Sequence, residues 1–352
     1  MTKVLMKGNE AIAKAAIYAG CKAYFGYPIT PQNEIPEYMA KYMALSNGVF
    51  VQAESEIAAI NMVYGAAGAG VRTMTSSSSP GIALKQEGIS YCAGAELPVV
   101  IVSVSRGGPG LGNILPAQSD YNQATKGGGN GDYKVLVLSP NGVQEATDMV
   151  RKAFYLADKY RNPVMVLADG MIGQMMEPVE LNTEPLETIA KPWAANGELE
   201  RGYRNIINSL YLNSYPLEEH NKVLQAKYLE WEANEVIVDY YHCDDATVLL
   251  VAYGTPSRIV KTAVNLLRAE GIKAGLLRPK TLVPFPSKAI SALCPQVEFV
   301  LSAELSMGQM VNDVRLAVNG QVPVYFYGRA GGVVFEPIEI VNAVKSHLGG
   351  VK

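Results

Sequence analysis

Cysteine is scarce in this 352-residue chain: Cys21, Cys92, Cys243 and Cys294 stand alone, and none belongs to a Cys-x-x-Cys pair. An iron–sulfur cluster or a structural zinc ion needs closely spaced thiolates, so no local motif of either kind is present. Isolated, buried, free thiols in a reducing compartment are expected instead. Histidine is scarcer still. His220, His242 and His347 lie late in the chain and outside every glycine-rich segment, which argues against a Ser-His-Asp site and against a histidine-ligated metal. Charged residues make up only 18%, with a net charge of −3 and no basic tract, so a nucleic-acid partner is not expected. No apolar run reaches membrane-spanning length and the N-terminus lacks a signal-peptide core. A cytoplasmic protein with no membrane partner is the expectation. Hydrophobic residues reach 49%, more than so sparse a polar surface needs beneath it, so part of the surface should be covered by other subunits.

The chemistry-bearing stretch begins with the β-rich run Gly48-Val49-Phe50-Val51-Gln52 and continues through Ala53-Glu54-Ser55-Glu56. An Ala/Gly-rich apolar segment, Ile57 to Val71, follows, with glycines at 65, 68 and 70. Such a segment predicts a fully buried helix whose small residues admit a close neighbour. Glu56 would then occupy the first turn of a helix that meets no water. The helix dipole favours its carboxylate and lost hydration opposes it, an arrangement that natural chains seldom tolerate without a partner. The plainer reading is a helix-start device, with Ser55 or Glu54 as cap.

Around this stretch the pattern is βα repeats. Asn9 is placed to cap a helix over Ala11–Ala19. Ala23–Tyr27 reads as a buried strand broken by Pro28-Ile29-Thr30-Pro31, where two prolines fix the backbone around Thr30. A loop pre-set at the C-terminal edge of a strand is where open α/β sheets put ligands, although Thr30 could equally cap the helix from Asn33. Val71–Thr75 is a strand ending in Ser76-Ser77-Ser78-Ser79-Pro80-Gly81, a turn able to offer backbone N–H groups to an anion. The apolar strand Leu97–Val104 exits into Ser105-Arg106-Gly107-Gly108-Pro109. Arg106 could grip a carboxylate with both arms, or form an internal salt bridge with Glu96 or Asp120. The long loop 113–133 should be functional or covered. Alternating strands and helices over 1–176 predict a mostly parallel sheet. Residues 177–245 change character, with prolines, acids and aromatics such as Trp193, Tyr228 and Trp231. They read as an ordered arm. A second, smaller α/β unit follows over 246–352.

In their order and spacing, Tyr27-Pro28-Ile29-Thr30-Pro31, Ser55-Glu56 with Gly65, Thr73-Met74-Thr75 leading to Ser79-Pro80-Gly81, and Ser105-Arg106-Gly107-Gly108-Pro109 resemble the alpha subunit of a 2-oxoacid:ferredoxin oxidoreductase. The fold this implies is α/β with two parallel-sheet domains: the pyrimidine-binding module of thiamine diphosphate enzymes, then a transketolase C-terminal-like domain. The resemblance implies that Glu56 is catalytic and hydrogen-bonds N1′ of the cofactor's aminopyrimidine, favouring the imino tautomer that takes the thiazolium proton. It places Pro28 beside the cofactor, and Thr30 and Arg106 against the carbonyl and carboxylate of the 2-oxoacid. Glu54 is the local rival, but its spacing to Gly65 does not match.

Half of the expected site is missing. The diphosphate and its Mg²⁺ call for a Gly-Asp-Gly type motif with an asparagine roughly 25 to 30 residues later, supplying oxygen ligands. Gly131-Asp132-Tyr133 is the nearest match and no suitable asparagine follows it, so no metal ligand is assigned to this chain. The implication is a beta subunit carrying the diphosphate half, gamma and ferredoxin-like delta subunits carrying the iron–sulfur clusters, and ferredoxin and coenzyme A as acceptors. Within the family, Pro116-Ala117-Gln118-Ser119-Asp120-Tyr121-Asn122-Gln123-Ala124 looks more like the branched-chain 2-oxoisovalerate type than the 2-oxoglutarate type. A degenerate, non-catalytic assembly subunit is the rival of another class. A stand-alone thiamine-dependent decarboxylase fits poorly without the diphosphate motif.

Overall fold

A computed structural model of the chain describes residues 3–198 and 201–348. In chain order the elements are β1 (Val4–Lys7), α1 (Gly8–Tyr18), β2 (Ala23–Gly26), α2 (Glu34–Tyr42), β3 (Val49–Gln52), α3 (Glu56–Gly68), β4 (Thr73–Ser77), α4 (Ser79–Gly94), β5 (Val99–Ser105), α5 (Tyr121–Thr125), β6 (Leu136–Leu138), α6 (Val143–Tyr160), β7 (Pro163–Asp169), α7 (Gly170–Gln174) and β8 (Met176–Val179). After a long connection come α8 (Ser214–Asn234), β9 (Val238–Tyr241), β10 (Val248–Val251), α9 (Gly254–Ala269), β11 (Ala274–Pro279), β12 (Thr281–Val283), α10 (Ser287–Leu293), β13 (Phe299–Glu304), α11 (Met310–Val318), β14 (Val324–Gly328) and α12 (Pro337–Leu348).

The first large sheet runs β12-β6-β7-β5-β4-β2-β3 and is parallel except at β12. Its middle strands are buried on both faces: every residue of β5 and β7 is inside. Their near-continuous apolar sequence follows from that double coverage. On one face α1 and α6 pack on Met74, Val100 and Val102, joined by Leu224, Tyr228 and Trp231 of α8. On the other face α3 and α4 pack on Val99, Ile101 and Met165. The second sheet runs β14-β13-β10-β11-β9, parallel except for the edge strand β9. The strands β11 and β12 are separated by Lys280 alone, so one extended segment serves both sheets. Arg278 on it pairs with Glu145 (2.6 Å) and with Asp239, fixing the crossing point. A small antiparallel pair, β1 with β8, closes the back of the first unit.

Three sequence expectations change. Asn9 is not a cap: α1 begins at Gly8, and Asn9 Nδ2 donates to Pro31 O (2.8 Å) and Glu34 Oε2 (2.7 Å). It therefore ties the helix to the loop after Thr30. The helix α3 is not buried all round. Ile57 is 50% and Met62 37% exposed, and space is open around Gly65. Its inner face meets α4, where a Cβ on Gly88 would stand 2.5 Å from Ile60; its C-terminal end is covered by the arm, with Gly68 O accepting from Ala195 N at 2.8 Å, while Ile57 and Met62 stay uncovered among the described residues. The loop 113–133 is broken by the short helix α5. The four cysteines are free and buried as expected, and burial pushes the Cys21 and Cys92 thiols up to about 12, which makes them inert.

The start of α1 carries a stability prediction. A Cβ on Gly8 would lie 1.9 Å from the backbone oxygen of Ile172, which has no freedom to retreat. Gly8→Ala should lower unfolding stability by about 1–3 kcal/mol through overpacking, seen as a lower urea midpoint at unchanged slope.

Candidate functional site

Ser55 ends the approach from β3 with extended backbone, and its Oγ accepts the Ala58 N–H at 3.2 Å. Ser55 is thus the cap, Glu54 is exposed, and Glu56 opens α3 with its side chain turned inward at 6% exposure. No described side chain or backbone N–H hydrogen-bonds the Glu56 carboxylate, which a helix-start device alone would not explain. A Cβ on Gly81 would meet Ser77 Oγ at 2.1 Å and Glu56 Oε1 at 2.6 Å. Glycine at 81 therefore lets the first turn of α4 close over the carboxylate. The Ser77 and Ser78 hydroxyls beside it are buried and unpartnered.

The other two predicted residues meet at the same sheet edge. Arg106, 7% exposed at the exit of β5, donates through Nη1 to Thr30 O (2.8 Å) and through Nη2 to Leu111 O (3.1 Å). Its Nε is buried without a partner. The salt-bridge alternatives fall away: Glu96 pairs with Lys227 at 3.1 Å, and Asp120 accepts from Ser79 Oγ at 2.6 Å. Burial pushes the Asp120 carboxyl up against the hydrogen bonds of Ser79 and Ser105 and the field of Arg106. The Arg106 N–H donates to Ser79 Oγ at 3.0 Å, linking the arginine to the turn that covers Glu56. Thr30 is half-buried, its Oγ1 accepting from Asn33 at 3.3 Å, and Pro28 is exposed on the same loop. Gln32 anchors that loop from below: it accepts from Ser76 Oγ at 2.5 Å and donates to Tyr27 O at 3.5 Å. A cavity of about 620 Å³ opens beside Thr30, walled by Pro31, Ile114, Leu115, Pro116 and Met171.

Thr30, Glu56 and Arg106 thus converge at the C-terminal edges of β2 to β5, where parallel sheets place ligands. A buried carboxylate without a hydrogen-bond partner can hold or yield a proton, and an arginine with a spare N–H can bind an anion. Among the described residues no cluster of His, Cys, Asp and Glu could hold a metal, and Asp132 is exposed. The buried, unpartnered Glu56 carboxylate fits the aminopyrimidine end of thiamine diphosphate, whose ring nitrogen it could meet. Sequence reasoning missed Gln32, Ser77, Asp120 as a partner of Ser79, and Lys85. Lys85 left a signal, an isolated cation on the inward face of an apolar helix. The others gave none, because their roles arise between strands.

Comparison with known proteins agrees with this arrangement. Residues 14–238 match the family model described as "Pyruvate flavodoxin/ferredoxin oxidoreductase, thiamine diP-bdg", and residues 246–340 match "Pyruvate:ferredoxin oxidoreductase core domain II". The chain is 51% identical to the ketoisovalerate oxidoreductase subunit VorB of Methanothermobacter marburgensis, covering 99% of both. It is 37% identical to the 2-oxoglutarate synthase subunit KorA of the same organism, over 96% of this chain and 97% of that one. Among solved structures, a 2-oxoglutarate:ferredoxin oxidoreductase from Magnetococcus marinus with 2-oxoglutarate, coenzyme A and succinyl-CoA bound superposes with a TM-score of 0.87 at 27% identity. The match spans 99% of this chain and 65% of that one. A split gene transketolase, at 15% identity and a TM-score of 0.62, shares the fold. No described helix is long and apolar enough to cross a membrane. With both family models matched in order along its length, the chain belongs to the thiamine diphosphate-binding pyruvate flavodoxin/ferredoxin oxidoreductase family.

Proposed function

We propose that this chain is the alpha subunit of a 2-oxoisovalerate:ferredoxin oxidoreductase. The observation that carries the reading is the buried Glu56 carboxylate, free of hydrogen bonds, closed over by Gly81 and sharing a sheet edge with Thr30 and Arg106. The overall reaction converts a 2-oxoacid and coenzyme A to acyl-CoA and CO₂, releasing a proton and passing an electron pair to ferredoxin. Bound thiamine diphosphate would supply the carbanion that attacks the substrate carbonyl and the sink for electrons after CO₂ leaves. Glu56 would hold the proton at N1′ of the pyrimidine, in a dry site where that hydrogen bond is strong. Arg106, kept straight by its bonds to Thr30 O and Leu111 O, would direct its unpaired Nε at the substrate carboxylate. The Thr30 hydroxyl would orient the carbonyl, and Pro28 would border the cofactor.

The diphosphate and Mg²⁺ would sit on a beta subunit. The outer face of α3 and α4 supports this, since Ile57, Met62, Leu84 and Tyr91 are exposed apolar residues directly outside the site. Gamma and ferredoxin-like delta subunits would carry the iron–sulfur clusters. The domains follow the same division: 1–176 as pyrimidine module, 177–245 as arm and 246–352 as transketolase C-terminal-like unit. A branched-chain substrate is favoured over 2-oxoglutarate by the higher identity to the ketoisovalerate relative.

The test is anaerobic isolation of the native complex by a tag on this chain, followed by coenzyme A-dependent viologen reduction with each acid. Co-purified subunits and preference for 2-oxoisovalerate are expected. Preference for 2-oxoglutarate would transfer the assignment to the alternative. An eluate with no activity after added thiamine diphosphate and Mg²⁺ would favour a degenerate assembly subunit.

A further inference from the structure

Lys85 lies on α4 one helical turn beyond Gly81, and is 0% exposed. A fully buried lysine ordinarily has a carboxylate within ion-pair distance, because an unpaired ammonium is costly out of water. Lys85 has none. Its Nζ donates to Thr75 Oγ1 at 2.5 Å and to Ser76 O at 3.4 Å, both on the strand beneath. The one charged group whose field acts on it is Glu56, across the first turn of α4. Lys85 and Glu56 are thus buried groups of opposite sign on either side of the first turn of α4, where Gly81 abuts the Glu56 carboxylate.

We propose that Lys85 is a positioning residue of this site, its buried amine serving as the counter-charge that keeps the Glu56 carboxylate available to the aminopyrimidine. The proposal rests on the function assigned above. In a medium of low polarizability a cation at this range acts strongly on a carboxylate without touching it. Burial also lowers the Lys85 amine from its ordinary 10.5 to about 7, against the raising field of Glu56. When the Glu56 charge is shared with a bound pyrimidine, that field weakens and Lys85 releases its proton more readily. Lys85 thereby couples occupancy of the site to proton release.

The experiment uses the assembled complex stripped of thiamine diphosphate, as wild type, Lys85→Met and Lys85→Gln. Thiamine diphosphate with Mg²⁺ is titrated calorimetrically near pH 7 in two buffers of different ionisation enthalpy, which gives the number of protons exchanged on binding. Both variants are expected to lose the component of proton release that wild type shows. In turnover assays kcat/KM of both variants should fall more on the acid limb of the pH profile than on the basic limb, because the site loses a cation. The stability of the empty complex provides an independent check. A buried amine lowered to about 7 binds fewer protons folded than unfolded between about 7 and its ordinary 10.5, so wild-type stability should rise with pH through that window. Both variants should lack this rise. Unchanged proton release and an unchanged acid limb in either variant would overturn the proposal. So would a Gln variant that behaves as wild type, since Gln keeps a hydrogen bond to Thr75 but no charge. If wild type itself bound no thiamine diphosphate, the functional assignment would fall first and this proposal with it.

Discussion

Glu56→Gln, introduced into the otherwise intact complex, should lower 2-oxoacid turnover by about 10²–10⁴-fold, the span over which a positioned proton-transfer group acts. The substitution removes a charge and little else. Glutamine matches glutamate in size, Ser55 still caps α3, and no hydrogen bond of the native chain is lost, because the carboxylate makes none within it. Folding and assembly should therefore be preserved, and the unfolding midpoint of the complex should stay within the scatter of surface substitutions. Thiamine diphosphate should still bind through its diphosphate half on the partner subunit. An assembled, cofactor-loaded and inactive complex is the expected result, read by viologen reduction alongside cofactor content. Surviving activity in that complex would leave the chain as an assembly subunit built on a cofactor fold.

Gly81→Ala should produce the second large loss, roughly 10²-fold in turnover, by displacement and not by removal of chemistry. The new methyl would stand 2.1 Å from Ser77 Oγ and 2.6 Å from Glu56 Oε1. Both neighbours are side-chain ends, so they can yield, and what yields is the placement of the carboxylate. Alanine is otherwise the better helix former by about 1 kcal/mol. Gly81 has no positive φ, so the backbone itself tolerates the change. The expected signature is a marked loss of activity with thermal stability nearly unchanged. A matching fall in stability would show instead that the two helices had been forced apart.

These two variants also separate what is legible in the chain from what is not. The strand–turn–helix order of both units is written in local pattern. Residues 143–160 and 287–293 form helices from local pattern, because amphipathic spacing and turn residues act over a few positions. Thr30 and Arg106 could be singled out for a similar reason, each being a polar group where a strand gives way to a proline- or glycine-rich turn, and Glu56 as an acid in the first turn of an apolar helix. Their meeting could not be read. Thr30 and Arg106 are 76 residues apart, and the hydrogen bond between them exists because β2 and β5 flank β4 in one parallel sheet. Sequence left Arg106 open between an internal salt bridge and a ligand grip. The fold settles its pairing by giving Glu96 to Lys227 and Asp120 to Ser79.

By itself, then, the sequence determined the α/β class and the order of its strands, turns and helices, since these depend on composition and short spacings. Only the tertiary structure decided that α3 leaves Ile57 and Met62 outside, because burial is a property of neighbours and the described residues leave those two uncovered. It likewise decided that Lys85 is buried, with its amine on Thr75 and Ser76. A lone lysine in an apolar helix is ordinarily turned to water, and only the packing of α4 on β4 turns this one inward.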